Sequence, residues 1–96
     1  MDDPYILTQR LAALFRETCR AHHQAQAFTQ TASEDPEWPL WYADYLQAKL
    51  GKLLSAKFTK SELVYLLVTA AGEQALNAPG ANWAQYYARF FVRRYV

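Results

Sequence analysis

Two segments of this chain carry large rings at helical spacing: Trp38, Trp41, Tyr42 and Tyr45 in one, Trp83, Tyr86, Tyr87 and Phe90 in the other. Steps of three, four and seven residues gather side chains on one side of an α-helix, whereas a strand would scatter them over both faces. Each segment is therefore read as an amphipathic helix whose aromatic side has to be covered. With 96 residues the chain has room for one small domain and a single core. Ala (16) and Leu (12) lead its composition, while Val and Ile number five and Gly and Pro seven. That balance favours helices over strands. Hydrophobic residues make up 52% and charged residues 20%, which excludes a disordered chain. The expected fold is all-α, one domain over residues 1–96: a small four-helix bundle with a central third helix and aromatic-rich second and fourth helices.

Local signals predict helices over about 4–28, 36–50, 60–77 and 83–95. Asp3 caps the first and Pro4 opens it, where a missing N–H costs nothing. Its apolar stripe is Leu7, Leu11, Leu14, Phe15, Thr18, His22 and Ala25. Residues 29–34 are polar without apolar spacing and read as a loop. Asp35-Pro36 repeats the cap-plus-proline signal, Leu46 and Leu50 continue the aromatic stripe, and Gly51 is expected to stop the second helix, with Lys52 to Lys57 as connector. Thr59 and Glu62 form a capping box, and Phe58 with Leu63 a hydrophobic staple. The run from Leu63 to Ala71 has almost no polar side, so the third helix should touch neighbours on more than one face. Asn77-Ala78-Pro79-Gly80 ends it, and Asn82 caps the fourth with Gln85 at the N3 position.

A shift of 45 residues lays the second helix over the fourth: Trp38 on Trp83, Trp41 on Tyr86, Tyr42 on Tyr87, Tyr45 on Phe90 and Lys49 on Arg94. The first and third helices have no such counterpart, so the echo reads as two helices filling the same kind of space rather than as an internal repeat. Lys49 and Arg94 each stand one turn beyond a ring they could cover. Three readings of these residues stay open: the core of a small domain, a groove between the second and fourth helices suited to a planar or anionic ligand, and a dimer face.

Catalytic parts are missing. There is no Gly-x-Ser-x-Gly, no Gly-rich phosphate loop and no His-Glu-x-x-His, so no enzymatic activity is expected. Cys19, His22 and His23 share neighbouring positions of the first helix and are weak metal candidates, because a closed site needs a fourth ligand. No metal or cofactor is expected. His22 lies on the apolar stripe and reads as a hydrogen-bonded interior residue, with a Tyr hydroxyl or Thr18 as partner.

The net charge of +1 hides an asymmetry: residues 1–48 carry three Arg against seven acids, and residues 49–96 seven bases against Glu62 and Glu73. Acids at helix starts and bases at helix ends account for much of it. Lys49, Lys52, Lys57 and Lys60 make a basic stretch, yet Val64, Tyr65 and Val68 stand where a DNA-reading helix wants Arg, Asn or Gln, so nucleic acid is not the expected partner. The longest apolar stretch is about half of what a membrane-spanning helix needs. A single cysteine and an acidic N-terminus make the cytoplasm the expected compartment.

Residues 35–46, Asp-Pro-Glu-Trp-Pro-Leu-Trp-Tyr-Ala-Asp-Tyr-Leu, resemble a stretch of small bacterial all-helical proteins with an Asp-Pro-x-Trp-Pro-x-Trp-Tyr-Ala-x-Tyr pattern. The resemblance covers an eighth of the chain and implies a bacterial, soluble helical domain; it brings no activity, cofactor or site. The function expected from the sequence is a non-enzymatic protein-interaction module, homodimeric through its aromatic surface, with a small-ligand carrier or sensor as the alternative.

Overall fold

The structure, a computed structural model, describes residues 3–27 and 37–95. They form α1 (Pro4–Ala27), α2 (Trp38–Leu54), α3 (Lys60–Asn77) and α4 (Trp83–Tyr95), with no strand among the described residues. The all-α bundle follows from these four amphipathic segments, whose stability comes from packing their apolar faces together.

Packing is cyclic. α1 lies mainly against α4 and α2 mainly against α3, while α1 with α2 and α3 with α4 close the ring. α2 and α4 therefore stand across the bundle from each other. α3 touches neighbours on two sides, as its apolar run predicts; its third side is open, with Tyr65, Val68 and Leu76 exposed. α1, at 24 residues about 36 Å long, is the spine of the bundle. Through Phe15 it meets Trp83, Tyr87 and Phe91 of α4, and through His22 it meets Trp41 and Tyr42 of α2.

The expected start signals of α1, α3 and α4 are present as bonds. Asp3 accepts the Tyr5 N–H at 2.7 Å. Thr59 Oγ1 accepts from the Glu62 N–H at 3.1 Å and the Glu62 carboxylate from the Thr59 N–H at 2.9 Å, a complete capping box. These bonds hold the Glu62 carboxyl below its ordinary pKa. Asn82 Oδ1 accepts the Gln85 N–H at 3.2 Å. Gln85 does not return its side chain to Asn82; its amide donates to Gln9 Oε1 of α1 at 3.2 Å, tying α4 to the spine.

Other expectations need correction. Asp35, Pro36 and Phe28 lie outside the described residues. The N-cap of α2 is Glu37, which makes no side-chain cap bond. Gly51 does not stop α2, and residues 52–54 are helix rather than connector. The helix continues to Leu54 and reverses at Ser55, which takes the left-handed conformation (φ 52°) usually given to glycine. Gly51 serves the reversal differently: its carbonyl accepts the Ala56 N–H at 3.1 Å, and a Cβ on it would stand 2.8 Å from the Ala56 carbonyl oxygen. Across the same corner the Gln47 amide donates to the Phe58 carbonyl at 2.8 Å, and Lys60 pairs with Asp44 at 2.9 Å. Ala25, expected on the buried stripe of α1, is exposed, as are His23 and Gln24, so the buried stripe does not extend from His22 to the next turn.

Candidate functional site

The rings singled out by their spacing belong to the core or lean on it. Tyr42, Tyr87 and Phe90 are buried, and Trp38, Trp41, Tyr45, Trp83 and Tyr86 are half-buried against the core. The echo between α2 and α4 extends to geometry. Trp38 meets Tyr42 edge-on at 5.1 Å and 80°, and Trp83 meets Tyr87 at 5.4 Å and 83°. The cation positions match as well: Lys49 Nζ lies 4.9 Å from the centre of Tyr45, and Arg94 Cζ 4.3 Å from that of Phe90. Both fall within the range of a cation–π contact.

The two ladders do not wall a common groove. α2 and α4 are separated around the ring by α1 and α3, and they approach each other through interior residues such as Tyr42 and Tyr87. Two depressions in the surface lie elsewhere. One, of about 360 Å³, is lined by Thr8 of α1 and Tyr86, Arg89, Val92 and Arg93 of α4. Another, of about 420 Å³, is lined by Ser61, Glu62, Tyr65 and Leu66 of α3 and Tyr95 of α4.

At the α1–α2 contact, the Tyr45 hydroxyl donates to Glu17 at 2.5 Å, and that bond raises its pKa. Trp41 stacks on Tyr45 at 5.4 Å with 13° between the planes. His22 is buried, 5.1 Å from the Trp41 ring and 5.5 Å from that of Tyr42, while His23 is exposed. Thr18 donates to the Leu14 carbonyl at 2.8 Å, and no buried side-chain nitrogen or oxygen among the described residues lacks a partner. Burial raises the hydroxyl of Tyr42, with the neighbouring Cys19 thiol adding to it, and burial alone pushes Tyr87 up to about 12. Among the described residues no three Cys, His, Asp or Glu side chains are grouped to hold a metal ion, Cys19, His22 and His23 included.

What sequence reasoning missed is the outer side of α3. At 100° per residue, Ser61, Tyr65, Val68, Gly72, Ala75 and Leu76 fall within a sector of about 100°, and all six are exposed. Leu76 is 85% exposed, Tyr65 68% and Val68 50%, and the sector holds no charged residue. Gly72 sits in mid-helix without a positive φ, and a Cβ on it would meet nothing within 4 Å. The signal was present in the sequence: an apolar run broader than two neighbouring helices can cover, with a glycine inside it.

The chain matches no family model, no curated protein and no solved structure. No helix among the described residues is long and apolar enough to cross a membrane.

Proposed function

We propose that this chain is a non-enzymatic helical protein-interaction module whose docking face is the outer side of α3. One observation carries the proposal: Tyr65, Val68 and Leu76 stand exposed on one uncharged side of a helix whose other sides are packed. Isolated exposed apolar residues are ordinary, but an aligned set on one helix is the form in which helices present themselves to partners. Gly72 supports the reading, since a mid-helix glycine costs about 1 kcal/mol relative to alanine and neither its φ nor any close neighbour among the described residues requires it. The aromatic ladders of α2 and α4 then build the platform, and of α4 only Tyr95, at its end, borders the contact. A cytosolic setting belongs to the same proposal, in keeping with one free, half-exposed cysteine.

The experiment is photo-crosslinking in cells with benzoylphenylalanine at Val68, compared with the same probe at Arg16 on the exposed side of α1. Adducts of defined mass from position 68 alone are expected. Equal or absent labelling at the two positions would refute the docking face.

A second reading, a carrier of a small planar or anionic ligand, is favoured by Arg89 and Arg93 flanking Tyr86 and Val92 in the depression of about 360 Å³. It relocates the ligand from between α2 and α4 to between α1 and α4. Calorimetric titration with an aromatic carboxylate tests it: heat that vanishes in Arg89→Ala/Arg93→Ala supports it, and no heat with the unaltered chain removes it.

A further inference from the structure

We infer that the partner of the α3 face is a second copy of this chain, paired antiparallel about a two-fold axis between Val68 and Thr69. The inference rests on the docking face proposed above and names its occupant. An isologous contact requires a surface complementary to itself, and one antiparallel pairing meets that requirement at two places. It sets Tyr65, which projects, against Gly72 of the second copy, which has open space above it. It sets Leu76, the most exposed large apolar side chain of those described, against Ser61, at the depression of about 420 Å³ between α3 and Tyr95. It sets Val68 beside Thr69 at the axis itself. A knob and a hollow fifteen residues apart, and a ring and a glycine seven apart, share the same midpoint.

The edges agree as well. A two-fold axis across a helix pair keeps each edge of the stripe against its own copy. By helical position Leu76 lies toward the edge of α3 that carries Glu62, which is also the edge of the depression shared with α4. Knob and hollow thus meet on one edge. Opposed helix directions also place unlike dipole ends side by side. The exposed parts of Tyr65, Val68, Leu76 and Tyr95 amount to roughly 500 Å² per copy, so the pair buries on the order of 1,000 Å², the lower bound for a specific contact. A contact at that bound belongs with the weak, transient associations.

The same pairing places Glu73 beside Glu62 of the second copy on the shared edge, two like charges that a charge reversal would convert into a pair. Glu73→Lys should therefore tighten self-association roughly threefold in equilibrium sedimentation. Position is tested in the full chain in a Cys19→Ser background whose thermal melt confirms folding. Ser61→Cys in a mass-tagged copy and Leu76→Cys in an untagged copy are mixed with a short bis-maleimide. Mixed tagged–untagged dimers are expected. Leu76→Cys alone should give none, because its two copies stand about 22 Å apart in this pairing.

Self-linking of Leu76→Cys, or an unchanged or weaker association in Glu73→Lys, would overturn the antiparallel pairing. Sedimentation as a monomer up to about 1 mM would overturn the second copy as partner. If photo-adducts at Val68 then carry the mass of a different protein, the docking face survives and only its occupant was wrong. With a monomer and no adducts, both proposals fall.

Discussion

Single residues in this chain earn their identity from what stands within a few ångströms of them, and two glycines show it most plainly. A methyl group on Gly51 would lie 2.8 Å from a backbone oxygen that cannot swing away, whereas on Gly72 it would meet nothing. Urea denaturation at low protein concentration should therefore move in opposite directions: Gly51→Ala destabilising by about 1–3 kcal/mol, Gly72→Ala stabilising by about 1 kcal/mol. His22 touches two rings at the rim of the core, and Leu in its place would keep most of that packing. His22→Leu is expected to leave stability within about 1 kcal/mol in a thermal melt; loss of folding would show that its polar contacts hold α1 on α2. Buried Tyr42 and Tyr87 keep their hydroxyl protons more tightly folded than unfolded, where the value is about 10. Their contribution is thus complete below pH 10 and lost as pH rises from there toward 12 and beyond. Following tyrosinate absorbance, buried Tyr42 and Tyr87 should titrate late and together with the loss of helix, with Tyr45, bonded to Glu17, the third of the seven tyrosines to lag.

Among the elements, those with explicit start chemistry were readable in the chain and those that depend on distant packing were not. α3 begins at the residue its capping box dictates, since Thr59 and Glu62 interact over three residues and need no tertiary help. Thr59→Ala should cost about 1 kcal/mol, measured as a lower urea midpoint, with the loss shrinking as acid protonates Glu62. The sign follows from the depressed carboxyl: its contribution is present above the ordinary glutamate value and fades as pH falls through the folded one. The end of α2 was misread because glycine signals both a helix stop and a close backbone approach, and sequence does not separate the two. The paired aromatic ladders were legible down to the cations over Tyr45 and Phe90, because spacing along one helix is a local quantity. The groove once expected between those helices was not, because which helices become neighbours is decided by all four at once.

For the whole molecule the arrangement turns on α1, whose Phe15 and His22 reach rings of both aromatic ladders. Phe15 is fully buried among Trp83, Tyr87 and Phe91, so Phe15→Ala should remove about 3–5 kcal/mol and leave little folded protein in a denaturant titration. The α3 face escaped the sequence for the same reason the groove was wrongly expected. A helix apolar all round reads as enclosed, and only the ring of four shows that α2 and α4 leave Tyr65, Val68 and Leu76 uncovered.

The placement of the tryptophans has a practical corollary. Trp38 and Trp41 lie at the start of α2, with Trp41 against His22 of α1, while Trp83 opens α4 against Phe15 two turns away along the same helix. The indoles therefore form a natural optical gauge with one sensor near each half of the spine. Emission from single-tryptophan variants would register whether α1 peels from one end or lets go of both at once, which turns the cooperativity of so small a domain into something a fluorimeter can time.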